Sequence, residues 1–255
     1  MAPMRRADGS AEDREAVIGV LGGMGPEATV RLFALLTAAT PAQRDQEHLR
    51  VLIDSDPKIP DRTAAILGSG EDPLPALLEA ATLLERAGAG FLIIPCNTAH
   101  HWLPALRKGV RIPILDMIRE TTLVVAAHSP RVRQIGLLAT TGTVRTGLYQ
   151  SHLASEGVAV VQPTDEEQEI VMSVIYGVKA GRAGLVSSLG RVGQALRDRG
   201  AQGLLLGCTE LSLVDLPSSP DFSVFDPLKI LAERAVLLAK DWDGGAARLL
   251  REGGA

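Results

Sequence analysis

Two short apolar segments of this chain end in the same way, and this repeat restricts the folds that the chain can adopt. Residues 91–95 (FLIIP) lead into Cys96, and residues 204–207 (LLLG) lead into Cys208, which is the second of only two cysteines. Polar residues typical of a helix start follow each cysteine at once. A thiol at a strand-to-helix junction lies near unpaired N–H groups and the positive end of a helix dipole, which favour the thiolate. Two such thiols predict two similar halves that face one site.

The repeat extends to the segment that opens each half. Residues 18–25 (IGVLGGMG) and residues 135–143 (IGLLATTGT) both read as an apolar strand that runs into a turn of small residues. These openings are 117 residues apart, and the cysteines are 112 residues apart. Two α/β units related by an old duplication explain both separations better than a short-period solenoid does.

Short β-rich runs alternate with helical stretches along the chain, which predicts an α/β fold with parallel sheets. The clearest helix is residues 74–86, where apolar residues recur at helical spacing before Gly88. We expect two pseudo-two-fold related α/β/α domains with the site in the cleft between them, since ligands bind at the carboxyl ends of parallel strands. The predicted strands are residues 17–21, 51–53, 91–94, 135–138, 158–161 and 204–206. The predicted division is a disordered tail (1–15), a first domain (16–118 plus 226–255) and a second domain (119–225), with the last helix packing back on the first domain.

Composition narrows the class of function. A net charge of −4 and an aromatic share of 3% argue against a nucleic-acid-binding protein. No apolar stretch reaches the length of a membrane span, and the first fifteen residues lack the apolar core of a signal peptide. Two cysteines far apart in sequence then favour a reduced, cytoplasmic protein.

Residues 23–28 (GMGPEA) match the G-x-G-x-x-A fingerprint of dinucleotide-binding folds. The match is weak, because the acidic residue expected about 20 positions later is misplaced and Pro26 removes an N–H group near the expected pyrophosphate. We favour a turn whose backbone N–H groups approach a small anion.

The cysteines have three alternative interpretations. They can be inert apolar residues, although their repeat-equivalent positions argue for chemistry. Cys96 and His100 have a spacing compatible with zinc, but a structural site needs four ligands and the chain has no C-x-x-C pair. A disulfide requires the two halves to bring the sulfurs close together.

Two basic residues are candidates for binding a carboxylate. Arg62 lies in residues 56–63 (DPKIPDRT), a proline-stiffened loop after a strand, which is a rigid place to hold a guanidinium. Lys179 ends a predicted helix before Gly181, where a charge complementing the helix C-terminus is the alternative role. For Arg62 the alternative is an ordinary surface charge.

Taken together, these motifs resemble the aspartate racemase branch of the aspartate/glutamate racemase family. The resemblance runs from about Val17 to Phe225 and rests on GGMGPEAT (22–29), PDRTAA (60–65), PCNTAH (95–100), TTGT (140–143), IYGVKAG (175–181) and GCTEL (207–211). It implies a racemase that needs no cofactor and no metal, with two α/β domains and the expectation of a homodimer. Typical glutamate racemases carry Asp-Ser after the first strand and His after the second Cys-Thr. This chain has Gly22-Gly23 and Glu210 there, which favours aspartate.

The resemblance also implies residue roles. Cys96 and Cys208 resemble the two catalytic acid/bases, and Arg62 resembles the residue that holds the side-chain carboxylate of the substrate. The segment Asn97, Thr98 and Ala99 resembles the part that binds the α-carboxylate, and Lys179 resembles a second basic residue of the site. The predicted substrate-binding set is completed by Met24, Gly25, Thr141, Thr143, Thr209 and Glu210.

The predicted function is therefore interconversion of L- and D-aspartate by two cysteines that act on opposite faces of Cα. Within the same fold, a racemase for glutamate or other acidic amino acids and an isomerase of dicarboxylates remain open. A nonenzymatic binding protein for an acidic metabolite, in which the cysteines merely pack, is the alternative from another class. In each case the partner is a small acidic molecule, not a nucleic acid or a membrane.

Overall fold

The computed structural model describes residues 15–128, 130–182, 186–214, 216 and 222–242. Residues 1–14 of the predicted tail (1–15) and residues 243–255 lie outside this part. The seven strands of the described part are β1 (Ile18–Gly22), β2 (Val51–Ser55), β3 (Phe91–Ile93), β4 (Gln134–Ala139), β5 (Ala159–Val161), β6 (Gly203–Gly207) and β7 (Ser223–Phe225). The α-helices are α1 (Pro26–Ala39), α2 (Arg62–Ile66), α3 (Leu74–Arg86), α4 (Leu103–Gly109), α5 (Met117–Ala126), α6 (Thr141–Thr146), α7 (Leu148–Ser155), α8 (Asp165–Lys179), α9 (Val186–Asp198) and α10 (Pro227–Lys240).

The strands form two separate parallel sheets, and the predicted α/β class is confirmed. The first sheet has the order β2-β1-β3, and Ile18 of β1 pairs with Val51 on one side and Phe91 on the other. The second sheet has the order β5-β4-β6-β7, again with every pairing parallel. All six predicted strands are present, whereas β7 was not predicted because its short apolar run carries no alternation of its own.

The two halves repeat each other in detail. The opening strand is central in each sheet, and the strand that precedes a cysteine lies beside it. A parallel bridge from Leu92 to Ile114 takes the place in the first half that β7 takes in the second. An aspartate then starts the next helix: Asp116 accepts hydrogen bonds from two N–H groups of α5, and Asp226 does the same for α10. These matched positions support the duplication inferred from the sequence.

Packing of the helices brings α10, the last described helix, back to the first half. Helix α3 buries the apolar face predicted for it, and Gly88 (φ 97°) ends the turn after it in a left-handed conformation. Helix α10 places Leu228 and Leu231 in one buried apolar cluster with Ile18 of β1 and Phe91 of β3. The predicted packing of the last helix is therefore confirmed, while the domain boundaries at 118 and 225 stay a prediction. Among the described helices, none combines the length and apolar character that a bilayer crossing requires.

Candidate active site

A cleft of about 550 Å³ opens at the carboxyl ends of the strands. Arg62, Lys179 and Glu210 line it together with the turn that follows β1. These three residues also line a second, much smaller pocket of about 20 Å³, and that pocket contains both cysteines. The topology therefore brings the two repeat-equivalent cysteines to one place, as the sequence predicted.

Both cysteines are buried free thiols at corresponding positions of the two halves. Cys96 is 6% exposed and Cys208 is 5% exposed. A 3-10 turn follows each of them closely, Thr98–Trp102 in the first half and Thr209–Leu213 in the second. The first N–H groups of such a turn have no partner within it and point toward the residues before the turn. Such N–H groups can stabilise negative charge on a nearby thiol, and at Cys208 the N–H of Glu210 makes this contact.

Cys208 has a polar environment of its own. Its thiol donates a hydrogen bond to Oε2 of Glu210 over 2.9 Å. The other carboxylate oxygen of Glu210 lies 3.6 Å from Nζ of Lys179. Burial, together with the negative charge of Glu210, raises the pKa of Cys208 well above the usual range of a thiol, while Lys179 opposes this. The arrangement holds Cys208 in the protonated form.

Lys179 reaches this cluster from the last residue of α8. The helix begins with a capping box formed by Thr164 and Glu167, and it ends at the lysine that the sequence placed there. Burial lowers the pKa of Lys179 and the nearby carboxylate of Glu210 raises it, and the balance leaves the pKa raised. Lys179 is therefore a cation of the cleft and not only a charge at a helix end.

Arg62 is buried at the first residue of α2, with an exposed fraction of 8%. Its Nη1 donates to the carbonyls of Ile59 (3.0 Å) and Pro60 (2.8 Å), so the loop holds the guanidinium in place. Asp61 caps α2 by accepting a hydrogen bond from the N–H of Ala64. The Nε of Arg62 is buried and has no protein partner among the described residues. The surface-charge interpretation of Arg62 is therefore wrong.

A buried polar network orients Asn97. The hydroxyl of Tyr149 donates to Oδ1 of Asn97 over 2.5 Å, and this bond fixes which end of the amide is the donor. Nδ2 of Asn97 is buried without a protein partner in the described part of the chain. Since Asn97 lines the small pocket, its amide N–H₂ is available to a ligand carboxylate.

Threonine hydroxyls connect the two halves behind the thiols. Oγ1 of Thr98 lies 2.9 Å from Oγ1 of Thr140 and 3.0 Å from Oγ1 of Thr143. From the other half, Thr209 donates to the carbonyl of Pro95 over 3.2 Å. These bonds cross between the two sheets and fix the turns that follow them with respect to each other.

The turn after β1 is held by its own side chains. The N–H of Gly23 donates to Oγ1 of Thr29 over 2.9 Å, and that hydroxyl donates in turn to the carbonyl of Gly25. Gly23 has φ 88°, and a Cβ atom there would lie 2.3 Å from the backbone of Asp56. One N–H group that the sequence assigned to a bound anion is thus already used within the turn, which also removes a donor that a dinucleotide would need.

His100 serves the structure. Its Nδ1 lies 2.9 Å from the carbonyl of Cys96, and its Nε2 accepts a hydrogen bond from the N–H of Met117. Burial is the main cause of a lowered pKa, so the ring is neutral. Because both ring nitrogens are engaged, His100 is not available as a zinc ligand beside Cys96.

Comparison with known proteins identifies the family. The sequence profile of the Asp/Glu/hydantoin racemase family matches residues 21–235. The chain belongs to this racemase family. It is therefore an isomerase by family.

Several relatives resemble this racemase over most of their length. An aspartate racemase from Picrophilus torridus has 32% identity and a TM-score of 0.77, with 88% of this chain and 94% of that chain covered. The broad-specificity amino-acid racemase RacX of Bacillus subtilis is 25% identical over 64% of this chain and 71% of its own length. A glutamate racemase from Corynebacterium diphtheriae is 30% identical over 62% of this chain and 63% of its own length.

Most of the site residues predicted for this racemase line the cleft or the pocket. Nine line the small pocket: Met24, Arg62, Cys96, Asn97, Thr98, Lys179, Cys208, Thr209 and Glu210. Gly25 lines the larger cleft. The other three predicted residues, Ala99, Thr141 and Thr143, are not among the lining residues in the described part. Ala99 and Thr143 are fully buried behind it, and the hydroxyl of Thr141 lies 3.3 Å from Nε2 of Gln168.

Sequence reasoning did not select Asp61, Thr63 and Thr140, which also line the pocket. All three lie within the motifs PDRTAA and TTGT, so the motifs carried a signal for them. Tyr149 was missed as well, and no sequence motif marks it, because its role depends on a contact with a residue 52 positions away.

Proposed function

We propose that this protein interconverts L- and D-aspartate by a two-base mechanism that uses Cys96 and Cys208 and no cofactor. The observation that carries the proposal is the pair of buried free thiols at corresponding places in two repeated halves, both lining one pocket. Racemisation removes a proton from one face of Cα and delivers one to the other face. Two thiols contributed by opposite halves meet this requirement without movement of the base or of the substrate.

The charges of the site favour a dicarboxylate. Arg62 offers its buried Nε–H, and Lys179 adds a second positive charge from the opposite half. A guanidinium binds a carboxylate through two parallel hydrogen bonds, which fixes the side chain of the substrate. Nδ2 of Asn97, which is buried without a partner among the described residues, supplies a donor for the α-carboxylate. The first N–H groups of the 3-10 turn after Cys96 are candidates for further donors.

These donors also help the chemistry. The Cα–H bond is weakly acidic, and removing its proton increases the negative charge on the α-carboxylate. Donors that are already oriented stabilise that charge without reorganisation, as an oxyanion hole does. A pocket that excludes water strengthens each of these hydrogen bonds.

Aspartate is proposed ahead of longer acidic substrates for two reasons. Gly22-Gly23 and Glu210 stand where the glutamate racemases that this chain resembles have Asp-Ser and His. The Picrophilus torridus relative is an aspartate racemase, and it is covered over 94% of its length. The likeness to RacX, whose name states broad specificity, supports a racemase of several amino acids as the second candidate.

Incubation of the pure protein with L- or D-aspartate in D₂O tests the proposal. Racemisation with deuterium incorporated at Cα is expected from both enantiomers. Binding of aspartate without exchange would refute it in favour of a nonenzymatic binding protein. Parallel incubations with glutamate and with neutral amino acids rank the candidate substrates. A homodimeric state and a cytoplasmic location stay predictions.

A further inference from the structure

The two thiols have unlike neighbours, although their backbone positions correspond. Two residues after Cys208 stands Glu210, whose side chain accepts the thiol hydrogen. Two residues after Cys96 stands Thr98, whose hydroxyl is engaged by Thr140 and Thr143. Glu210 is only 3% exposed, so its carboxylate is held in a buried place next to sulfur.

We propose that Glu210 is a positioning residue that keeps the proton of Cys208 on sulfur, so that Cys208 begins turnover as the acid and Cys96 as the base. The S–H···O bond of 2.9 Å exists only while Cys208 is protonated, so it stabilises the thiol relative to the thiolate. A thiolate at this place would face a carboxylate at hydrogen-bond distance, and like charges at that distance repel strongly. This inference rests on the proposed function and replaces the substrate-binding role predicted for Glu210.

Lys179, in the same cluster, opposes the effect of Glu210 on the pKa of Cys208. Its ammonium lies 3.6 Å from Oε1 of Glu210, so a positive charge stands beside the carboxylate inside the buried pocket. The same positive charge stabilises a thiolate on Cys208 when turnover produces one. Glu210 and Lys179 therefore change the pKa of Cys208 in opposite directions.

Other titratable groups also surround Cys208. They are Tyr176 on α8, Tyr149 on α7, and Asp61, Arg62 and Cys96 from the first half.

One turnover takes one proton from Cα and returns one proton to it. The Cys96 thiolate takes the proton from Cα of one enantiomer, and the Cys208 thiol gives its proton to the opposite face. Cys96 ends as a thiol, and Cys208 ends as a thiolate beside Glu210 and Lys179. Transfer of one proton from Cys96 to Cys208 through water restores the starting form, with no net gain or loss of protons.

The chain offers a direct test, because it has only two cysteines. In a Cys96→Ser background, Cys208 is the single thiol, and its pKa is read from the pH dependence of thiolate absorbance or of alkylation by iodoacetamide. We expect Glu210→Gln to lower the pKa of Cys208 by about one unit or more, and Lys179→Met to raise it. Glu27→Gln, which neutralises an exposed carboxylate at the cleft, is the matched control and is expected to leave the pKa unchanged.

A Cys208 pKa that is unchanged in Glu210→Gln, or that moves the same way in both variants, overturns the proposal. A general disturbance of the fold has no reason to produce shifts of opposite sign. If Glu210→Gln does not fold, Glu210→Thr takes its place, because it gives this turn the side chain that Thr98 has in the other half. A Cys208 pKa that does not fall in that variant then refutes the proposal. The titration needs no turnover, so a failure to racemise aspartate would overturn the proposed function and leave this result standing.

Discussion

Replacement of Arg62 by alanine separates the binding role of this residue from its structural role. Both protons of Nη1 are used by the carbonyls of Ile59 and Pro60, so the edge formed by Nε and Nη2 is the one left for a substrate carboxylate. Two charge-assisted hydrogen bonds at about 1.5 kcal/mol each amount to about 3 kcal/mol. Since about 1.4 kcal/mol is a factor of ten, kcat/KM for aspartate should fall roughly 10²-fold in Arg62→Ala.

The structural part of the loss is smaller and can be measured on its own. Removing the two bonds to the loop carbonyls should cost about 1–3 kcal/mol of unfolding free energy. For a chain of this size that lowers the melting temperature by several degrees without unfolding the protein. Arg62→Lys keeps the charge but not the bidentate edge, so it should recover only part of the activity.

The assay is formation of D-aspartate from L-aspartate, followed by chiral chromatography alongside a thermal melt of each variant. Arg44→Ala is the control, because that arginine is an exposed surface residue and should leave both measurements unchanged. A kcat/KM in Arg62→Ala within twofold of the parent, with the fold intact, would refute the assignment of Arg62 to the side-chain carboxylate.

Three further predictions concern the two cysteines, the orientation of Asn97 by Tyr149, and the N-cap of α10. Cys96→Ala and Cys208→Ala should each abolish racemisation but keep Cα–H exchange of one enantiomer, a different one in each variant; substantial racemisation by either variant in a D₂O experiment would contradict the two-base mechanism. Tyr149→Phe frees the amide of Asn97 to turn, and the loss of about 1 kcal/mol should lower kcat/KM about fivefold in steady-state assays, so unchanged kinetics would argue against orientation by Tyr149. Asp226→Ala removes the cap of α10, and urea unfolding should show a loss of about 1–2 kcal/mol, with an unchanged midpoint as the contrary result.

The fold was largely predictable because its signals are local. Strands such as β3 are apolar runs bounded by breakers, and α3 shows its buried face in the spacing of its leucines and alanines. The edge strand β7 was not predicted, since three residues ending at Phe225 give no period to read. The repeat accounts for it: Ile114 pairs with β3 in the first half, and β7 pairs with β6 at the corresponding place in the second half.

The site was predictable as a set of residues but not as a set of contacts. Strand topology placed both cysteines and Arg62 at one site, because parallel strands deliver their carboxyl ends to one side. Lys179, at the end of a helix, was placed there by the family resemblance alone. Sequence could not show that the N–H of Gly23 is already taken by Thr29. Such bonds depend on side-chain directions fixed by tertiary packing, which no pattern of residue types specifies.

The two thiols have different neighbours, but the equal free energy of the two enantiomers limits what this difference can do to the kinetics. Enantiomers have equal free energy in water, so the equilibrium constant of racemisation is one. The ratio kcat/KM must then be the same in both directions at every pH, whatever stands beside Cys96 or Cys208. An asymmetric pair such as Thr98 and Glu210 can therefore change the size of kcat/KM and the two separate kcat values, but not the equality of kcat/KM in the two directions. Substitutions at Glu210 should move the two kcat values apart or together while the two kcat/KM values stay equal to each other.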